Sequence, residues 1–255
     1  MKQLLIDAGN TRLKWATLRG VRLGRTQVAD WSARTVARTA RRLLSGRFDR
    51  VLVCSVAGTA LERALREAAR AKGAPAPQFV RSTRNAAGVR NGYVQPWRLG
   101  ADRWVAMLGA RARYPGRALC IVDVGTALTI DLLDPQGRHR GGLLTPGPAL
   151  MVDSLLRDTA GIRRRAGRRF GAAARAAATF GRSTRAGLLS GSALACAALI
   201  ERALREARGE LGARPRLLLA GGGAAPVASF LQVAYERVDA LVIQGLAMLA
   251  TLNSR

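Results

Sequence analysis

Two aspartates stand at the ends of apolar runs, and each leads straight into a glycine-bearing polar turn. The stretch "LLIDAGNTRLKWA" puts Asp7 after Leu4–Ile6 and continues through Ala8, Gly9, Asn10 and Thr11. The stretch "CIVDVGTALTIDLLD" puts Asp123 after Ile121 and Val122 and continues through Gly125 and Thr126. In such a turn glycine lets the backbone reverse tightly, so that successive amides and a threonine hydroxyl converge on phosphate oxygens. The carboxylate suits a hydrated Mg²⁺, which keeps several waters and binds through one or two carboxylates plus phosphates. One such turn is most often only a hairpin. Two of them, opening two similar halves of one chain, point to a nucleotide clamp. No G-x-x-x-x-G-K-[ST] loop occurs, so an ATP site here is of another design.

Two further stretches extend the chemistry. "LLLAGGGAAP", residues 217–226, is an apolar strand breaking into Gly221, Gly222 and Gly223, where backbone could approach a flat group such as adenine. "NGYVQPWRLGADRW", residues 91–104, carries Asp102 directly beside Arg103 at the start of a predicted helix. Asp102 is either a first-turn acid favoured by the helix dipole or a general base for a hydroxyl nucleophile, with Arg103 holding an acid group. The local sequence leaves these two readings balanced.

The elements that must position these residues follow from pattern. Strands are predicted at Gln3–Asp7, Arg12–Leu18 and Val21–Val28, a helix at Thr35–Leu44, and a buried strand at Val51–Ser55. A helix runs from Thr59 to Lys72, and another from Ala101 to about Ala112. The grammar restarts after Tyr114-Pro115-Gly116: strands at Leu119–Asp123, Ala127–Leu133 and Arg140–Leu144, and a helix at Ala149–Thr159. A long helix from Thr184 to Arg208, a strand at Arg216–Ala220 and a last helix at Ala240–Leu252 complete it. Each half opens with strand, Asp-x-Gly turn and strand. The expectation is an internal duplication, with domains over 1–117 and 118–255 and the active site in the cleft between them.

Composition sets bounds. The chain of 255 residues is 49% hydrophobic, enough for a substantial core. Its apolar runs read as too short for a membrane span, and Asp7 interrupts any leader-like N-terminus. Cys54, Cys120 and Cys196 have no ligand spacing and read as buried thiols in a reducing cytoplasm. The formal net charge of +26 raises the question of nucleic acid, but the arginines are spread over most of the chain. The one cluster, Ile162–Arg182, reads as a solvated loop or helix face, and nucleic acid is not an expected partner. His139, the only histidine, reads as a turn-side residue.

Taken together, these stretches resemble the acetate and sugar kinase, Hsc70 and actin superfamily, and within it the type III pantothenate kinases. The residues carrying the likeness are "IDAGNTRLKWA", Tyr93 followed by "LGADRW", "IVDVGTALTIDLLD", "GGLLTPG", "GRSTRAGLLSG" and "DALVIQGLAML". The resemblance implies an α/β protein of two ribonuclease-H-like (actin-like) domains, each a mixed sheet flanked by helices. It implies ATP-dependent phosphorylation of pantothenate to 4′-phosphopantothenate, the first step of coenzyme A biosynthesis, by a cytoplasmic homodimer. Asp7, Ala8, Gly9, Asn10, Thr11, Arg12, Leu13 and Lys14 would form the first phosphate loop, with Asp7 near Mg²⁺, and Thr126 would contact ATP. Asp123 would hold a monovalent cation, K⁺ or NH₄⁺, and Gly221–Gly223 the adenosine turn. Tyr93, Gly100, Ala101, Asp102 and Arg103 would line the pantothenate pocket, with Asp102 accepting the proton. Thr184 would close that pocket across the dimer interface; Thr179 competes for this place, and the "GRST" context favours Thr184.

Two other readings compete. One is a catalytically inactive regulatory or nucleic-acid-binding protein on the same fold, which leaves the presence of Asp7, Asp102 and Asp123 together unexplained. The other is a related small-molecule kinase with another hydroxyl acceptor.

Overall fold

A computed structural model describes residues 1–167 and 178–252. The chain forms two compact units. The first is Met1–Gly116 with Gln136–His139 and the chain from Ala240 on; the second is Arg117–Pro135 with Arg140–Asp239.

The first unit is built on β1 (Lys2–Ala8), which is buried from Gln3 through Ala8 as a central strand covered on both faces. β2 (Arg12–Arg19) pairs antiparallel with it, setting Asp7 opposite Lys14. The strand predicted over Val21–Val28 divides into β3 (Arg22–Leu23) and β4 (Gln27–Asp30), both paired with β2. The break falls at Gly24, whose amide donates to Thr17 O at 2.8 Å. After α1 (Val36–Leu43) comes β5 (Arg50–Ser55), parallel to β1, then α2 (Thr59–Lys72) and β6 (Gln78–Phe79). The sheet order is β3-β2-β1-β5-β6. In α2, Leu61, Ala64, Leu65, Ala68 and Ala69 recur at helical spacing and share a core with Leu4, Ile6, Val51 and Val53. Gly73, at φ +60°, ends that helix in the left-handed conformation. A small hairpin, β7 (Asn85–Ala86) and β8 (Val89–Arg90), and a 3₁₀ turn at Pro96–Arg98 lead into α3 (Ala101–Arg113).

The second unit repeats the scheme. It contains β9 (Leu119–Val124), β10 (Ala127–Leu133), β11 (His139–Pro146), α4 (Pro148–Asp158), α5 (Ala160–Ala166), α6 (Thr184–Leu211), β12 (Arg216–Ala220), α7 (Ala224–Ala228) and β13 (Glu236–Arg237). Its sheet order, β11-β10-β9-β12-β13, follows the order of the first sheet position by position. β9 pairs antiparallel with β10 and parallel with β12, as β1 does with β2 and β5. Cys120, Val122, Leu128, Ile130, Cys196, Ile200 and Leu219 fill its core.

Two expectations are corrected. The last helix, α8 (Leu241–Leu252), belongs to the first unit and not with residues 118–239. It crosses α3 where Gly109 meets Gly245: a Cβ on Gly109 would lie 2.8 Å from Gly245 N, and one on Gly245 would overlap Val105 O. Two glycines thus let the backbones touch, and α8 also packs on β1, β2 and β5. Secondly, α6 spans 28 residues and is, by length and composition, long and apolar enough to cross a membrane. Its Cys196, Ala197 and Ile200 are instead built into the second core.

Candidate active site

The Asp7 turn closes on itself, with Gly9 N donating to Arg12 O at 3.0 Å. Asp7 is 8% exposed, and its Oδ2 lies 3.8 Å from Lys14 Nζ. Asn10, Thr11 and Arg12 are exposed, so their amides and side chains sit where an anion could reach them. Ala8 and Leu13 have no exposed surface, and Leu13 joins the first core, so its side chain packs and only its backbone is left for a ligand. Residues that sequence reasoning passed over hold this turn. Trp31 Nε1 donates to Gly9 O at 2.9 Å, and Asp30 pairs with Arg12 at 3.2 Å.

In the second unit, Gly125 N donates to Ala127 O at 2.9 Å, a tighter version of the same turn. Gly125 and Thr126 are exposed and Asp123 is half-buried. The glycine-rich stretch folds directly onto this turn, with Gly223 N donating to Val124 O at 2.9 Å. Gly221, at φ +96°, lies so close that a Cβ there would overlap Val124 backbone and the Asp123 carboxylate. Gly147 of the "TPG" stretch packs from another direction, its N donating to Thr126 O at 2.8 Å. Asp123, Thr126 and Gly221–Gly223, distant in sequence, therefore form one cluster.

The expected acceptor residues also converge. Asp102 occupies the first turn of α3, and Arg103 N donates to its Oδ1 at 2.8 Å. A Cβ on Gly100 would lie 2.7 Å from that same oxygen, so a larger residue there would push the Asp102 carboxylate aside. Arg103 is 7% exposed; its Nη1 donates to Tyr93 Oη at 2.8 Å, with the guanidinium 5.6 Å from the Tyr93 ring centre. Ala101 is buried beside them. The irregular segment before α3 is pinned by Asn91, whose Nδ2 donates to Thr83 O and Pro96 O and whose Oδ1 accepts from Tyr93 N. Arg84 grips Tyr93 O and Val94 O at 3.0 and 3.1 Å. His139 is buried and not on the turn's surface: it stacks on Tyr93 with ring centres 5.8 Å apart. Its place beside Tyr93 had no local signal, since 46 residues separate the two in sequence.

Cys54 is in register with Asp7 on the neighbouring strand. Burial pushes its thiol well above the usual range, and Asp7 and Asp102 both add to the rise. Burial and Asp131 push Cys120 to about 12, and burial pushes Cys196 to about 11. All three cysteines are free thiols.

Thr184 opens α6, where Ser183 caps the helix by accepting from Ala186 N at 3.1 Å. It borders an apolar cavity of about 320 Å³ between α4 and α6, lined also by Met151, Leu155 and Leu188. Thr179 is exposed. Of the basic cluster Ile162–Arg182, residues 168–177 lie outside the described residues. Among the described residues no group of three or more His, Cys, Asp or Glu side chains could hold a metal ion. A largely hydrated Mg²⁺ completed by phosphates needs only one or two carboxylates, which Asp7 fits.

The two sheets and their turns define an actin-like α/β fold. The fold is shared at low identity with MreB5 of Spiroplasma citri bound to ADP (TM-score 0.55, 12% identity, 99% and 97% of the two chains). It is shared too with a conserved protein from Campylobacter jejuni described as a candidate Baf family transcriptional activator (TM-score 0.61, 19% identity, 98% of each chain). Residues 3–206 match the family described as type III pantothenate kinase. Relatives of that name are 39% identical in Aromatoleum aromaticum, over 97% of each chain, and 34% identical in Nitrosococcus oceani, over 99% of this chain and 95% of that one. The chain belongs to the type III pantothenate kinase family.

Proposed function

We propose that this protein transfers the γ-phosphoryl group of ATP to the primary hydroxyl of pantothenate, giving 4′-phosphopantothenate and ADP, the first step of coenzyme A biosynthesis. The observation that carries the reading is the Asp102–Arg103–Tyr93 cluster at the start of α3, in a chain related to this family along its length. Arg103, nearly buried and braced by Tyr93, is the group for the pantothenate carboxylate, through charge-assisted contacts that a lysine would not reproduce. Asp102 orients the hydroxyl and takes its proton as the new O–P bond forms and the bond to the ADP oxygen breaks. Lys14 neutralises phosphate charge while Asn10 and Thr11 donate hydrogen bonds to phosphate oxygens, and Thr126 and the glycine turn contact ATP. Bound Mg²⁺ at Asp7 and K⁺ or NH₄⁺ at Asp123 would screen charge on the phosphate oxygens. The protein acts in the cytoplasm as a homodimer, in which Thr184 of a second copy closes the acceptor pocket.

The test is product formation from pantothenate, ATP and Mg²⁺, with and without K⁺, in the parent and in Asp102→Asn. K⁺-dependent product that falls about 10²–10⁴-fold in the variant is expected. Product formed equally by both proteins would remove Asp102 from its role, and no product under any condition would overturn the assignment.

A further inference from the structure

The Asp7 turn presents its phosphate-facing amides only if its carbonyls are held elsewhere, and the structure shows what holds them. Trp31 Nε1 donates to Gly9 O at 2.9 Å, and Trp31 N donates to Thr11 O at 3.3 Å. Its neighbour Asp30, the last residue of β4, pairs with Arg12 at 3.2 Å, so one short segment at the end of β4 grips the turn at three points. In a planar trans peptide the N–H points opposite to the C=O. Fixing the Gly9 carbonyl on the indole therefore turns the Asn10 N–H to the far side of the same plane. Trp31 is itself steadied, because it is partly buried and packs against the first core. Gly9 has little conformational preference of its own, and the turn's internal bond, Gly9 N to Arg12 O, holds the peptide before Gly9 and not the one after it.

We propose that Trp31 is a positioning residue for the phosphate loop: its indole N–H locks the peptide between Gly9 and Asn10 in the anion-receiving orientation. The inference rests on the reading of Gly9–Arg12 as a phosphate loop. Donors fixed before the ligand arrives need no reorganisation when charge develops, which is how such a loop gains strength. A tryptophan acting only through packing would keep its effect when the ring stays and the N–H goes.

The experiment compares the parent with Trp31→Phe, and with a protein carrying 3-benzothienylalanine at position 31, in which sulfur replaces the indole N–H at nearly the same shape. This second variant removes the donor even if Trp31→Phe fails to fold. Loss of one hydrogen bond should raise KM for ATP about 3- to 10-fold. KM for pantothenate should stay within about twofold, since hydrogen-bond loss acts where the bond was made. Equal shifts in both KM values, or an unchanged KM for ATP in the benzothienyl protein, would overturn the proposal. Hydrogen exchange over residues 8–12 gives a readout that needs no turnover. Faster exchange there, with β1 and β5 unchanged, is expected, and identical exchange in parent and benzothienyl protein would overturn it. If the parent itself makes no product, the kinase reading fails, while the exchange result still decides the role of Trp31.

Discussion

The two Asp-x-Gly turns do the same geometric job but are held by different means. In the first unit, side chains supply most of the outside holding: Trp31 on Gly9 O, Asp30 on Arg12, Lys14 beside Asp7, with one backbone bond from Trp31 N to Thr11 O. In the second, backbone lies on backbone, with Gly147 against Gly125 and Thr126, and Gly221 and Gly223 against Val124. The difference teaches where each turn is vulnerable. A turn held by side chains tolerates small changes in its own residues and fails when a distant partner is removed. A turn held by glycines fails when a single methyl group is added, because closely packed backbone cannot retreat.

This contrast is open to attack by substitution. The largest effect is expected for Gly221→Ala, which combines a left-handed φ with overlap on Val124 and the Asp123 carboxylate. It should cost about 2–4 kcal/mol in chemical denaturation and impair use of ATP. Gly147→Ala should follow at about 2–3 kcal/mol, since its methyl group would overlap Gly125 O. Gly9→Ala is the control in the first turn. A Cβ there would lie 3.2 Å from Arg12 O, close but not overlapping, so a cost below about 1 kcal/mol is expected. Equal costs at Gly9 and Gly221 would break the comparison.

The last effect concerns pH and is absent near neutrality. The Cys120 thiol is raised to about 12 by burial, with Asp131 adding, whereas the ordinary value is 9.0. A thiol raised in the folded state keeps its proton where the unfolded chain loses it. Stability is therefore full below about pH 9 and erodes as pH climbs toward 12, which denaturation midpoints at stepped pH would record. Cys54 behaves likewise, but Asp7 and Asp102 add to its rise. Asp7→Asn should thus lower the pH at which Cys54 reacts with a thiol reagent and leave Cys120 unmoved. Equal shifts in both would show that burial is not separable from the Asp7 charge.

Much of the local structure around the candidate site was legible because its groups are neighbours in the chain. A strand running into Asp-x-Gly-Thr, an acid and arginine at a helix start, and glycines after a strand are local patterns, and local patterns carry their own physics of turns and caps. The same holds for the duplicated order of strands, since each half repeats the signals that begin and end its elements. What escaped the sequence depends on approach between distant segments. Nothing near His139 says that it stacks on Tyr93, nor does anything near Trp31 say that its indole finds Gly9 O. The end of the chain makes the point most sharply. The apolar run of α8 identified a helix, but its place in the first unit was decided by Gly109 meeting Gly245. Sequence determined the turns, caps and periodic faces, because those arise within a few residues. Tertiary structure alone decided which side chains brace the turns and where the last helix packs, because both require surfaces that exist only once the chain has folded.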